Sequence, residues 1–213
     1  SREQVAESQA QIQEEKIKRL TSEKKAAEAN LKLLQAQIEP HFLFNTLSNV
    51  LSLLDTDPQK GKSMLSDFIQ YLRASISKIR QKNATLGQEM EMIRAYLNIY
   101  KFRMGDRLKF QIDLPKNLED ILFPPMLVQP LVENAIKHGL EPKVDGGEIS
   151  ISGIEKDGIL KLEVIDTGMG FGAERGSGMG LANIRERLQS LYGNRGRLVL
   201  EEHSPHGLKA TIE

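Results

Sequence analysis

Two pairs of short segments, each joined by a short turn, limit the fold of this chain more than any other feature. Residues 148–154 and 159–166 alternate apolar with polar side chains and are joined through Lys156-Asp157-Gly158, a hairpin turn signal. Residues 198–202 and 208–212 close the chain as a second hairpin. Earlier, Leu108, Phe110, Ile112 and Leu114 alternate with Lys109, Gln111 and Asp113, the pattern of a half-buried strand. Consecutive strands on short turns make an antiparallel or mixed sheet. The helices between them must then cover one face, giving an α+β two-layer sandwich rather than a doubly wound fold. Three helical patterns supply that layer. One runs over 88–104 with Met90, Ile93, Leu97 and Tyr100 inward. One is opened by Phe123-Pro124-Pro125 and runs to about His138. One covers 179–192 and is stopped by Gly193.

The first half of the chain has a different period. Residues 1–36 are rich in Glu, Lys, Gln and Ala, without Gly or Pro. Ile17, Leu20, Ala27, Leu31, Leu34 and Ile38 keep a 3-4 spacing with Lys24 in one slot, a short heptad stripe. Val5 and Ile12 are out of register with it, so a coil slips between Ile12 and Ile17. A single solvated helix would bury too little to hold itself, so a parallel homodimeric coiled coil is expected. Pro40 cannot donate to the carbonyl of Ala36, and a kink is expected there. Beyond it, Leu43, Leu47, Val50 and Leu54 share one face, while His41, Asn45, Ser48 and Ser52 share a polar one. His41 is thus either a surface histidine beside a proline bend or a functional one. Asp57 can cap and Pro58 can open a second helix, whose apolar face is Leu65, Phe68, Ile69, Leu72, Ile76 and Ile79. Tyr71 and Arg73 sit near that face, either as packing or as a docking surface. Two helices on a short loop form a hairpin, and two copies form a four-helix bundle. The pattern breaks at 83–87, so the expected domains are a coiled coil (1–36), a helical hairpin (37–82) and the sandwich (83–213).

Composition narrows the function classes. With 29 basic and 29 acidic residues the formal net charge is zero, which gives no general field for nucleic acid. Cysteine is absent, so disulfides and thiolate metal sites are excluded. No apolar run approaches the length of a membrane span. The chain opens inside a helical pattern, without Met or signal peptide, so it is expected to be a fragment of something longer.

Three stretches of the sandwich carry chemistry. In 131–139, the helical spacing puts Glu133, Asn134, Lys137 and His138 together: a carboxylate, an amide, a cation and an imidazole. Mg²⁺ usually keeps water and takes few protein ligands plus phosphates, which Asn134 with a nearby carboxylate can satisfy if ATP supplies the rest. In Asp166-Thr167-Gly168-Met169-Gly170, Asp166 continues the inward stripe of Leu160, Leu162 and Val164. A buried carboxylate there needs a donor, which the exocyclic amine of adenine would provide. A capping Asp at a strand end is the other reading. In Gly176-Ser177-Gly178-Met179-Gly180-Leu181, free N–H groups stand directly before a helix, where phosphate is favoured. The short loop from Phe171 to Gly178 would be a flap over the nucleotide. His203-Ser204-Pro205-His206 beside Glu201 and Glu202 could bind zinc, but a turn between strands is the simpler reading.

Taken together, these motifs resemble the cytoplasmic core of sensor histidine kinases of the LytS/YehU type, and the ATP-binding half resembles the gyrase–Hsp90–histidine kinase–MutL superfamily. Glu133, Asn134, Lys137 and His138 match the N box. Asp166, Gly168 and Gly170 match the G1 box. Gly176, Gly178, Gly180 and Leu181 match the G2 box, continuing through Asn183, Arg185 and Arg187. Gln37, Pro40-His41-Phe42, Phe44-Asn45 and Leu47 match the phosphoacceptor segment, and Tyr96-Leu97 to Arg103 with Gly105-Asp106-Arg107-Leu108 also fits. The resemblance covers about residues 30–213. It implies ATP- and Mg²⁺-dependent autophosphorylation on His41 in a homodimer, then transfer to an Asp of a response regulator, often of the LytTR type. It implies that Asn134 holds Mg²⁺, Asp166 reads adenine, Lys137 and His138 face phosphates, and Gly168, Gly170, Gly178, Gly180 and Leu181 shape the nucleotide site. It implies a cytoplasmic fragment of a protein anchored in the inner membrane by a sensor region. The commoner histidine kinases carry an acidic residue after the histidine; here Phe42 stands there, and Glu133 and Asn45 are the candidates for the base. The group often has Asn where this chain has Ser48. The alternatives are a non-catalytic ATP-binding dimerisation scaffold and a clamping ATPase of the same superfamily, though nothing here resembles a transducer domain.

Overall fold

The computed structural model describes residues 13, 15–16, 40–80, 84–170 and 179–213. The chain falls into two compact units, Ser1–Ser48 and Asn49–Glu213. The expected coiled coil and the kink before Pro40 lie outside the described residues. No described helix is long and apolar enough to cross a membrane.

Two helices lead. Helix α1 (Pro40–Thr56) is separated from α2 (Pro58–Arg80) by one residue, Asp57. As the sequence suggests, the Asp57 carboxylate accepts from the Lys60 backbone N–H at 3.2 Å and Pro58 occupies the first helical position. Those contacts, with the Lys60 ammonium 3.3 Å away, hold the Asp57 carboxyl below its ordinary range. Gly61 belongs there because a Cβ would press on the backbone of Leu54.

The buried faces keep Val50 and Phe68 of the expected stripes but turn away from Leu47 and Ile69, while the side chains of Ile76 and Ile79 lie outside the described ones. On α1 the buried side chains are Phe42, Thr46 and Val50, and Thr46 returns its hydroxyl to the Phe42 carbonyl. Leu47 is 43% exposed, and Phe44 and Leu51 are more open still. On α2 the buried stripe is Met64, Phe68, Tyr71 and Ser75, while Ile69 is 42% exposed. Both helices carry apolar side chains around more than one face, so periodicity alone could not choose the face that packs. The α2 stripe packs on helix α3 (Leu86–Met104). Tyr71 and Tyr96 stack at 5.7 Å, Ser75 meets the Met92 sulfur at 3.8 Å, and Asn98 donates to Asp67 at 3.4 Å.

Strand β1 (Ala84–Thr85) pairs antiparallel with β3 (Leu122–Phe123). Thr85 then caps α3 in a reciprocal box: its hydroxyl accepts from Gln88 N–H and the Gln88 amide oxygen accepts from Thr85 N–H. Gly105, at φ +59°, ends the helix.

The main sheet is mixed, as expected. Its order is β2 (Leu108–Asp113), β4 (Gly147–Lys156), β5 (Ile159–Asp166), β7 (Leu208–Ile212), β6 (Leu198–Glu202). Only β2 and β4 are parallel, joined by a crossover that holds the short helix α4 (Lys116–Glu119), β3 and helix α5 (Gln129–Asn134). The other neighbours are antiparallel. Asp157 and Gly158 both have positive φ, the left-handed pair that closes a two-residue hairpin. Ile149, Ile151, Leu162, Val164, Leu208, Ala210 and Ile212 are buried on one face in register. The other face is polar and carries the Lys209–Glu163 ion pair at 2.6 Å. Helices α3, α5 and α6 (Met179–Tyr192) form the second layer. The result is a helical N-terminal part followed by an α/β sandwich.

Helix α5 begins at Gln129, six residues after the expected start. Pro125 restrains Pro124 to extended backbone, and Met126 sits at φ +63° with its N–H donated to the buried Glu89 carboxylate. Pro130, in the first helical turn, marks the true start.

Burial raises the Asp67 carboxyl above its ordinary value, and the Asn98 amide pulls the other way. The folded chain therefore holds this proton to higher pH than the unfolded chain, and stability falls as pH rises through that window. Asp67→Asn should raise the melting temperature at pH 7. The gain should shrink toward zero below roughly pH 4, where both states of the wild type are protonated; equal gains at both pH values would refute it.

Candidate nucleotide site and phosphoacceptor segment

Helix α5 continues from Ala135 to Leu140 as a π-helix, closed by Glu141 N–H on the Ile136 carbonyl at 2.9 Å. Leu131, Val132, Ala135, Ile136 and Leu140 seat it in the core. Glu133, Asn134 and Lys137 are half-buried and His138 is exposed. The widened turn thus separates His138 from the other three in burial, where regular α-helical spacing would have grouped them. The segment after it, 141–146, is pinned from outside. Arg107 donates to the carbonyls of Val144 at 2.8 Å, Lys143 at 2.7 Å and Glu141 at 3.3 Å, and Arg103 pairs with the Glu141 carboxylate.

Strand β5 ends at Asp166, which is 2% exposed. The stripe of Leu162, Val164 and Asp166 is buried to its end, as alternation predicts. Asp166 Oδ1 accepts from Gly168 N–H at 2.9 Å, which folds the chain back at once. Gly168 then lies against the π-helix. A Cβ on it would overlap the Cα and carbonyl of Gly139, and Met169 N–H donates to that same carbonyl at 3.1 Å. Lys143 ties the turn from the other side, donating to the Thr167 carbonyl at 2.7 Å. Gly207 is the counterpart on the neighbouring hairpin: φ is +135°, and a Cβ would overlap the Asp166 carbonyl. Gly170 has φ +74°.

Helix α6 enters beside these two segments. An added Cβ on Gly180 would sit 3.7 Å from Pro130 and 3.9 Å from the Asn134 amide nitrogen, which is ordinary contact. Leu181 is buried, Asn183 and Arg185 are exposed, and half-buried Arg187 donates to the Pro125 carbonyl at 2.6 Å. Gly176, Gly178 and the expected flap lie outside the described residues. Gly168 thus lies on the π-helical turn at Gly139, and Gly180 lies beside Pro130 and Asn134 on the α-helical stretch before it. Among the described residues no three His, Asp or Glu side chains converge to cage a metal.

His41 is exposed on α1. The Asn45 amide nitrogen, one turn on, lies 3.0 Å from its Nε2 and 3.3 Å from Nδ1. His203-Ser204-Pro205-His206 is the turn between β6 and β7, closed by His203 N–H on the Gly207 carbonyl.

Several supporting residues were missed in the sequence. Gln129 donates to Glu133 at 2.7 Å; it stands four residues before that glutamate, a spacing that could have been read. Arg107 sits in the Gly105-Asp106-Arg107-Leu108 run, but its carbonyl partners are distant in sequence. Nothing local points to Gly139 and Gly207, whose roles come from backbone approach.

Packing separates two of the motif glycines. Gly168→Ala must push backbone apart and should cost about 1–3 kcal/mol. Gly180→Ala has room in a helix and should leave stability unchanged or raise it by up to about 1 kcal/mol. Urea denaturation of both variants checks this; equal losses would contradict it.

Residues 29–108 match the histidine kinase family model, and residues 119–213 match the model for histidine kinase-, DNA gyrase B- and HSP90-like ATPases. The chain is 34% identical over 198 residues to the sensor protein LytS of Bacillus cereus, covering 87% of this chain and 34% of that protein. It is 32% identical over 198 residues to the sensor histidine kinase/phosphatase LytS of Staphylococcus aureus (strain Mu50), covering 86% and 34%. The chain therefore spans about a third of the length of the curated relatives it matches. The histidine kinase domain of the Erythrobacter litoralis EL346 blue-light activated kinase has the same fold, with TM-score 0.52 at 16% identity, over 86% of this chain and 89% of that one. By its two matched regions and its similarity to LytS sensor proteins, the chain belongs to the histidine kinase family.

Proposed function

We propose that the chain is an ATP-dependent protein-histidine kinase core that phosphorylates itself on His41 and passes the phosphate to an Asp of a response regulator, of the LytTR type by resemblance. The observation that supports it most is the approach of two motif segments to one helix: Gly168 lies on Gly139 of the π-helical turn, and Gly180 lies beside Asn134 at the end of the α-helical stretch before it. In this reading Asp166 accepts from the adenine amine, Asn134 coordinates the Mg²⁺ that enters with ATP, and Lys137 and His138 face the phosphates. Gly168, Gly170, Gly178, Gly180 and Leu181 shape the pocket. The metal supplies charge neutralisation on the phosphates; the chain supplies position.

A ring nitrogen of His41 bonds to the γ-phosphorus as the bond to the leaving ADP oxygen breaks. The ring proton goes to Glu133. Asn45 holds the imidazole through its amide and takes no proton, since a neutral amide is too weak a base. Residues 1–36 act as the signalling coil, 37–82 as the dimerisation and phosphoacceptor hairpin, and 83–213 as the ATP-binding domain. Phe44, Leu47 and Leu51 recur on α1 and stay open to water in the single chain, which suits burial in a bundle with a second copy. The whole protein would hang from an inner-membrane sensor region.

Incubation with γ-³²P-ATP and Mg²⁺ should place acid-labile, base-stable label on the wild type and none on His41→Gln. Absence of label on the wild type, with ATP binding intact by titration, would overturn the kinase reading in favour of a nucleotide-binding scaffold.

A further inference from the structure

Gln129 is a buried glutamine, 3% exposed, at the start of α5. Both hydrogens of its side-chain amide are used: one goes to Glu133 Oε1 at 2.7 Å, the other to the Tyr71 hydroxyl oxygen at 3.2 Å. Its own carbonyl oxygen is buried and accepts no hydrogen bond among the described residues. An unmet buried acceptor is costly, and such a cost in a native fold calls for a reason. Turning the amide over would let that oxygen accept from the Tyr71 hydroxyl, but would aim it at the Glu133 carboxylate. The ionised carboxylate therefore sets the orientation, and the amide in turn sets the carboxylate.

Tyr71 lies on α2, in the stripe that packs on α3. Burial, then the nearby Glu133 charge, pushes its phenol well above the ordinary tyrosine range, so it stays an O–H group. It stacks on Tyr96, which stacks on Tyr100 at 4.8 Å. The Asp67–Asn98 and Ser75–Met92 contacts seat the same two helices. One amide thus joins the helix that follows the His41 segment to the carboxylate of Glu133.

We propose that Gln129 is a positioning residue for Glu133, and that its second bond, to Tyr71, makes the aim of that carboxylate depend on how α2 sits against α3. This rests on the reading of Glu133 as the group that takes the His41 proton. Gln129 itself gains and loses no proton.

The test is a mutant cycle on the full chain, reading the single-turnover rate of His41 labelling at saturating Mg²⁺-ATP, with ATP affinity measured separately. Gln129→Met keeps the volume and removes the amide. It should lower the rate by at least about tenfold and leave ATP affinity within about twofold, because misaiming a general base costs rate and not substrate binding. In a Glu133→Gln background it should lower the rate no further. Tyr71→Phe deletes one hydroxyl, should give a smaller loss, and should add nothing on top of Gln129→Met. Should Gln129→Met fail to fold, Tyr71→Phe in the wild-type and Glu133→Gln backgrounds carries the same cycle. A wild-type rate in Gln129→Met, or losses that multiply with Glu133→Gln, would overturn the positioning role while leaving the kinase reading intact. A wild-type rate in Glu133→Gln would remove the base assignment and this inference with it, and label on His41 would still stand apart from both.

Discussion

The backbone of Gly168 rests on the backbone of Gly139 with no room for a side chain between them. Much of the sandwich serves that contact. The buried Asp166 folds the chain back through its bond to Gly168 N–H. Met169 N–H and the Lys143 ammonium fasten the turn to the π-helix and its following loop. Gly207 lets the adjacent hairpin pass the Asp166 carbonyl. Arg107, from the head of β2, gathers three carbonyls and keeps the 141–146 loop in place. The strand end and the helix are thus locked in register by backbone contacts and by Lys143, Arg107 and Gly207, which is how a preorganised site is supported.

A second packing surface joins the helical part to the sandwich. Met64, Phe68, Tyr71 and Ser75 of α2 lie against α3, and α3 is itself anchored by its Thr85–Gln88 capping box. Tyr71 contributes both a ring stacked on Tyr96 and a hydroxyl that accepts from Gln129. Apolar burial here carries a polar connection through the core. Buried polar chains of this kind favour one relative placement of the elements over many.

The strands were legible because their signals are local. Alternation assigned the inner face, and Asp157-Gly158 could take the left-handed backbone that closes the hairpin. The end of α3 at Gly105 and the cap at Asp57 follow from residue chemistry in the same way. What was misread depends on partners distant in sequence. Pro124-Pro125 looked like a helix start, yet Met126 is held in a turn by Glu89, thirty-seven residues earlier. The π-helical turn has no compositional mark. On α2 the expected Leu65, Phe68, Ile69 and Leu72 and the buried Met64, Phe68 and Tyr71 both satisfy helical spacing, and the position of α3 decides between them. The burial of Asp166 could be read from its stripe; the Gln129 connection could not, because half of it comes from another helix.

The central claim is that the turn after β5 and the π-helical turn form one purine-nucleotide site. Calorimetric titration of the chain with Mg²⁺-ATP and Mg²⁺-GTP, on wild type and Asp166→Asn, tests it most directly. A carboxylate that accepts from an exocyclic amine at the adenine position predicts tight ATP binding, weak GTP binding, and a loss of ATP affinity of at least about tenfold in Asp166→Asn. Equal affinity for the two nucleotides, unchanged by Asp166→Asn, would contradict it.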